Sequence, residues 1–199
     1  MKIIIVVASL CLLITGCTGL SVGKNMVKKD DVVYEIAVGM NSSPNISGGV
    51  KYGVNDKLNL DMNITSPVFA SKNIIMFEPA LVKNIIKQNG KRPTLNGYLS
   101  FPTLYSLKTS DIKIYPVIGF VPKYEGEKWG GYMVFEELTE FRSDEKKVSL
   151  KTNIKLGVEY KIREKWALDL EIGVNNIGYK NMMADFGYPV IMFGTTIKQ

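Results

Sequence analysis

Asp169 and Glu171 are the carboxylates whose spacing is best suited to acid–base chemistry in this 199-residue sequence. Residues two apart on a β-strand point to the same side, so both side chains would share one face. Two carboxylates so placed can act as general acid and general base. However, the preceding segment would bring Lys151, Lys155 and Glu159 to the same face from the neighbouring strand. Opposite charges at this spacing attract one another, so we predict a polar network inside the fold rather than a catalytic pair.

Other routes to catalysis or metal binding lack the necessary residues. The sequence has no histidine, which removes Ser-His-Asp and Cys-His catalysis and all histidine metal sites. Of its two cysteines, Cys11 lies in an apolar leader and would be lost with it, which leaves Cys17 alone. Glu136 and Glu137 are adjacent, so on a strand they would face opposite sides. We therefore predict no enzymatic activity, no metal and no cofactor.

Two long strands joined by a tight turn carry the charged residues of the predicted network. Apolar and polar residues alternate from Val148 to Ile162, which is the period of a β-strand. After a polar break at Arg163 to Lys165, the same alternation resumes from Trp166 to Val174. Aromatic residues beside turns on an apolar face are typical of a membrane boundary. Three aromatic residues fit this position and are predicted to lie at a membrane interface: Tyr52, Tyr160 and Trp166.

The N-terminus has the composition of an export signal. A positive start is followed by an apolar run from Ile3 to Ile14, which is too short to span a bilayer. The run Ile14-Thr15-Gly16-Cys17 resembles the lipobox of bacterial lipoproteins. The resemblance implies cleavage before Cys17, a diacylglycerol thioether on its sulfur, and an acyl group such as palmitate on its amine. Thr18, where an aspartate would signal retention at the inner membrane, fits transfer to the outer membrane.

We divide the chain into a lipoprotein signal peptide at 1–16, a lipidated N-terminus and tether at 17–31, and a β-barrel domain at 32–199. The formal charge is +6, but the basic residues are scattered through strands and turns rather than gathered in a helix or tail. In an exported chain this distribution predicts no nucleic-acid partner. The predicted partner is membrane lipid, reached through acylated Cys17 and through the barrel wall, and no protein partner is indicated.

Alternating segments and turn signals recur along the rest of the chain. The middle fits a strand from Ile74 to Lys87 or a helix from Pro79 to Gln88. We favour the strand, because Asn89-Gly90 is a strong signal for a two-residue hairpin turn. The count is about ten strands, with a range of about eight to twelve, and no helix is convincing. The predicted fold is an all-β antiparallel up-and-down β-barrel, whose closure removes exposed strand edges.

The segment from Gly49 to Leu60, GVKYGVNDKLNL, resembles the recurrent hairpin of bacterial outer-membrane β-barrels, and the segment from Gly157 to Leu170 is similar. The resemblance implies that the apolar faces meet lipid. We therefore predict a non-enzymatic β-barrel lipoprotein, anchored by lipid in the bacterial outer membrane, with a structural or surface-interaction role. A narrow pore ranks lower, because side chains fill the lumen of a barrel of about ten strands. The alternative is a lipid-anchored soluble barrel, similar to a lipocalin, that binds a hydrophobic ligand inside.

Overall fold

The computed structural model describes residues 25–41, 43–68, 74–110, 112–142, 147–180, 183–185 and 188–199. No helix in these ranges has the length and apolar character needed to cross a membrane. The described residues form thirteen β-strands: β1 (Val32–Asn41), β2 (Ser43–Asn55), β3 (Leu58–Pro67), β4 (Ile74–Ile86), β5 (Thr94–Ser100), β6 (Thr103–Ser106), β7 (Ile112–Ile114), β8 (Val117–Glu125), β9 (Trp129–Arg142), β10 (Lys147–Arg163), β11 (Trp166–Lys180), β12 (Met183–Asp185) and β13 (Tyr188–Lys198).

Ten of these strands form one closed antiparallel barrel. Each barrel strand pairs with the barrel strands before and after it along the chain, and β1 pairs with β13 to complete the ring. The short strands β6 and β7 extend from β4, and β12 pairs only with β11. The prediction of an all-β up-and-down barrel of about ten strands is confirmed.

The middle of the chain follows the strand prediction. β4 runs from Ile74 to Ile86 and pairs with β5, so the helix alternative for this segment is wrong. The turn between them contains a β-bridge from Asn89 to Arg92, with Gly90 at a φ of 57°. Glycine adopts this left-handed conformation without the steric cost that a side chain would add. The Asn-Gly pair therefore sets the position at which β4 reverses into β5.

The barrel has two different ends. Four connections lie at one end together with the first residue of β1 and the last of β13: those at 56–57, 126–128 and 164–165 are two or three residues long, and that at 87–93 is seven residues long. We call this the turn end, and the opposite end, which carries β6, β7 and β12, the loop end. β10 is 17 residues long, whereas about 9–11 residues suffice to cross a bilayer. The longer strands therefore extend beyond the thickness of a membrane.

Side chains alternate between a buried lumen and an exposed outer surface. In β3, Asp61 and Asn63 are buried, whereas Leu60, Met62 and Ile64 are between 45% and 54% exposed. The outer wall is apolar around the ring, and the lumen contains many buried charged and amide side chains together with some apolar ones. This polarity is that of a transmembrane barrel, whose wall faces lipid. The alternative of a soluble barrel with an apolar ligand cavity is wrong, because the apolar faces point outwards.

A lysine placed on the outer wall tests its contact with lipid. Ile154 lies midway along β10 with its side chain outwards, and Ile197 lies on the outer wall beside Trp166 at the turn end. We expect Ile154→Lys to lower the free energy of unfolding in lipid vesicles by about 2–4 kcal/mol, and Ile197→Lys by only about 0–1 kcal/mol, because the cost of a charge falls with its distance from the bilayer centre. Urea titration of the folded fraction measures both changes. Equal costs at the two depths would contradict a membrane-spanning wall.

Candidate functional site

The lumen contains an unusual number of ionisable side chains. Among the described residues, the buried charged side chains are seven carboxylates and three lysines: Glu35, Asp61, Glu78, Glu136, Glu159, Asp169, Glu171, Lys51, Lys123 and Lys155. They lie beside an apolar cluster that also points inwards: Val82, Tyr98, Val117, Val121, Tyr132 and Val134. A charge removed from water is tolerated only when opposite charges and hydrogen bonds surround it. The arrangement of ion pairs therefore decides whether this lumen is stable.

Lys155 is the centre of the largest group. Its Nζ lies 3.3 Å from Glu136 Oε2 on β9 and 3.9 Å from Glu171 Oε1 on β11. Asn153 Nδ2 donates a further hydrogen bond of 3.0 Å to Glu136 Oε2. Lys155 is only 2% exposed and Glu171 is fully buried. One ammonium group therefore forms ion pairs with carboxylates from the two strands on either side of its own.

Two tyrosines complete this group, and each contacts a carboxylate two strands away across a glycine on the strand between them. Tyr132 on β9 lies opposite Gly157 on β10, and Gly157 lies opposite Glu171 on β11. A Cβ on Gly157 would come within 2.0 Å of the Tyr132 ring, so only glycine lets the ring pass. The Tyr132 hydroxyl donates a hydrogen bond of 3.3 Å to Glu171 Oε2. The missing side chain thus opens the path between the tyrosine and the carboxylate.

The second example of this arrangement lies one pair of strands away. Tyr98 on β5 is opposite Gly119 on β8, and Gly119 is opposite Glu136 on β9. The Tyr98 hydroxyl donates a hydrogen bond to Glu136 Oε1, across a glycine whose Cβ would meet the ring at 2.3 Å. We call both examples Tyr–Gly–Glu bridges. Together they bind the two carboxylates that flank Lys155.

Two smaller ionic groups lie closer to the turn end. Lys123 Nζ is 3.0 Å from Glu159 Oε2 and 2.9 Å from Glu125 Oε1. Lys51 Nζ is 2.5 Å from Glu35 Oε1, and both residues are buried. The Lys123–Glu159 pair joins β8 to β10, and the Lys51–Glu35 pair joins the adjacent strands β2 and β1.

Residues 25–31, assigned to the tether on sequence, enter the mouth of the barrel at its turn end. Asn59, which is fully buried, donates a hydrogen bond of 2.8 Å to the Asn25 carbonyl and accepts one of 3.2 Å from the Val27 amide. Asn25 Nδ2 also donates to Glu159 Oε2 at 3.2 Å. A Cβ on Gly53 would lie 1.9 Å from the Lys28 carbonyl oxygen. The backbone of residues 25–28 is therefore hydrogen-bonded to Asn59 and packed closely against Gly53.

The residues predicted to form a polar network occupy different parts of the lumen. Lys155 and Glu171 share one group, and Glu159 belongs to the group of Lys123. Asp169 accepts a hydrogen bond of 2.9 Å from the Thr196 hydroxyl. Lys151 is half-buried on β10, nearer the loop end. The carboxylates Asp169 and Glu171 do share a face, but their partners differ, since Asp169 contacts Thr196 whereas Glu171 contacts Lys155 and Tyr132.

Several lumen residues were not singled out from the sequence. Glu35 and Lys51 alternate with apolar neighbours, so their polar face was visible but not their pairing. Lys123 follows Pro122 near the end of β8, where alternation is short. The contacts of Tyr98 depend on the register of three strands.

Among the described residues, no three or more Cys, Asp or Glu side chains are placed to hold a metal ion.

The predicted interface aromatics lie on the outer wall at the turn end. Tyr52 and Trp166 are exposed, and Tyr160 is half-exposed. Trp129 stacks on Tyr160 with ring centroids 4.5 Å apart and an interplanar angle of 40°. Trp129 was not predicted, because it opens β9 after a turn that the alternation did not define. Cys17, the predicted lipidation site, lies outside the described residues.

Removal of the central lysine should be costly. We expect Lys155→Ala to lower the free energy of unfolding by about 3–5 kcal/mol, because Glu136 and Glu171 would keep their charge without their cation. Urea-driven unfolding in detergent micelles measures the change. The exposed residue Lys165 supplies the control, and Lys165→Ala should change stability by less than about 0.5 kcal/mol. Adding Glu136→Gln and Glu171→Gln to Lys155→Met should recover most of the loss, and no recovery would argue against charge neutralisation as the cause.

Comparison with solved structures finds other outer-membrane barrels. An outer membrane channel from Pseudomonas putida F1 superposes with a TM-score of 0.52 at 9% identity and covers 91% of this chain and 100% of its own. The outer membrane protease OmpT from Escherichia coli gives a TM-score of 0.44 at 11% identity, covering 89% and 98%. The N-terminal β-barrel domain of Pseudomonas aeruginosa OprF gives 0.41 at 11% identity, covering 87% and 100%.

Comparison with curated proteins found no significant match. The family model described as outer membrane protein beta-barrel domain matches residues 16–189, which is most of the chain. This match agrees with the closed ten-stranded barrel, the apolar outer wall and the polar lumen, and it implies the bacterial outer membrane as the location. The chain belongs to the outer membrane protein beta-barrel domain family.

Proposed function

We propose that this outer-membrane barrel is a non-enzymatic lipoprotein with a structural or surface-interaction role. The structural part of this proposal rests on the filled lumen. Lys51, Lys155 and Glu171 are each no more than 2% exposed, and the apolar cluster beside them includes three fully buried valines. Ions crossing this barrel would have to displace paired charges and packed side chains. A structural role is therefore favoured over a pore.

The two ends support an orientation. Transmembrane barrels of bacteria have short periplasmic turns and longer extracellular connections. By this rule the turn end of our barrel faces the periplasm, and the loop end, with β6, β7 and β12, faces outwards. An interaction at the cell surface would then use the loop end, where the strands extend beyond the membrane.

The position of the N-terminal segment supports lipid anchoring. Asn25 is held at the turn end by Asn59 and Glu159, and Cys17 precedes it by eight residues. Eight extended residues reach at most about 28 Å, which is enough to bring acylated Cys17 from the mouth of the barrel to the adjacent leaflet. Two or three acyl chains anchor a protein stably, whereas one is marginal. The acyl chains would then anchor the N-terminus in the leaflet at the turn end, beside the barrel that spans both leaflets.

Metabolic labelling tests the lipoprotein part of the proposal. We expect the wild-type chain to incorporate labelled palmitate and Cys17→Ser to lose the label completely. The variant should still be recovered in the outer-membrane fraction if it is exported, because the barrel wall inserts independently of the lipid. Cys11→Ser is the matched control and should keep the label, since Cys11 lies within the predicted signal peptide. A label that survives in Cys17→Ser would overturn this anchoring site.

Electrical recording tests the preference for a structural role. The purified mature chain, inserted into a planar bilayer, should produce no steady conductance steps, because paired side chains occlude the lumen. A porin recorded in the same bilayer controls for the detection of small currents. Reproducible steps from the folded chain, identified by its altered gel mobility before and after boiling, would favour a pore.

A further inference from the structure

We infer that the turn end of the barrel binds the headgroups of anionic phospholipids. This inference rests on the membrane insertion described above but not on acylation of Cys17. The surface concerned is the turn-end collar, which we define as the charged residues in six places: 28–31, 56–57, 87–92, 125–128, 161–165 and Lys198. The collar contains eleven lysines and arginines but only six aspartates and glutamates.

The excess of positive charge in the collar lies at the rim of the barrel, outside the lumen. The buried carboxylates outnumber the buried lysines, but they lie in the lumen and interact with groups there. Within the collar, Glu125 lies 2.9 Å from the buried Lys123 and 4.0 Å from Lys161, and Asp30 lies 3.9 Å from Lys29. Lys57, Lys128 and Lys165 are exposed at separate hairpin turns. The collar therefore presents a net positive ring to whatever surrounds this end.

Aromatic side chains fix the height of this ring relative to a bilayer. Trp129, Tyr160 and Trp166 lie on the outer wall at the turn end, immediately below the collar. Aromatic residues of membrane proteins sit at the level of the headgroups, and lysine side chains extend from there towards the phosphates. A net positive ring at the phosphate level attracts anionic lipids over zwitterionic ones. The occupant with matching charge and position is thus an anionic phospholipid headgroup.

The tryptophans provide a direct measurement. The chain has two, Trp129 and Trp166, and both lie at the turn end. The full mature chain is reconstituted in phosphatidylcholine vesicles that contain the same low mole fraction of brominated phosphatidylglycerol or of brominated phosphatidylcholine. Bromine quenches tryptophan fluorescence only at close range, so quenching reports the lipid beside this end. We expect the brominated phosphatidylglycerol to quench about twofold more strongly, as local enrichment by the collar requires.

High salt and variants that remove lysine charges then distinguish recognition of anionic headgroups from insertion of the barrel into the bilayer. The preference should disappear at about 1 M salt, where screening acts within about 3 Å. The double variant Lys128→Gln with Lys165→Gln should reduce it, whereas the matched loop-end control, Lys108→Gln with Lys113→Gln, should not. Equal quenching by the two lipids in the wild type, or a preference that survives both salt and the collar variant, would overturn the inference. Quenching by neither lipid would instead overturn membrane insertion itself.

Discussion

Burial of charge inside a narrow ring of strands is the constraint on which this structure depends. Lys155 lies between Glu136 and Glu171, and its position is possible only because the neighbouring strands supply carboxylates at the same height. The Tyr–Gly–Glu bridges hold those carboxylates in turn, since Gly119 and Gly157 leave room for aromatic rings to cross the strand between donor and acceptor. Residues without side chains are therefore as necessary to the lumen as the charged ones.

The outer and inner faces of the barrel wall meet different requirements. The outer face has only to match lipid, and a simple alternation of apolar residues satisfies it. The inner face has to place its lysines beside carboxylates, in some cases from strands that are not neighbours, as Lys123 and Glu159 show on β8 and β10. The side chains of the lumen therefore determine the register of the strands, whereas the side chains of the outer wall determine the location in the membrane.

The sequence predicted the architecture more completely than the contacts. Alternation from Val148 to Ile162 and the Asn89-Gly90 turn each correspond to a local physical cause, and both appear in the structure. Alternation could not decide which face meets lipid, because a soluble and a membrane barrel share the same period. The partners of Glu136 depend on the registers of β5, β8, β9 and β10, which no local pattern encodes. The docking of residues 25–31 in the mouth of the barrel was not predicted either, because a polar segment without periodicity is typical of a linker.

The seated N-terminal segment ties the beginning of the fold to its end. Asn59 belongs to an early hairpin, but Glu159, which Asn25 also contacts, lies 134 residues after Asn25 in the chain. Contacts between such distant residues form late, because a long loop must close first. The segment can reach its full set of hydrogen bonds only after β10 has joined the ring. Its complete docking therefore depends on β10 being in place, whereas its contacts with Asn59 need only β3.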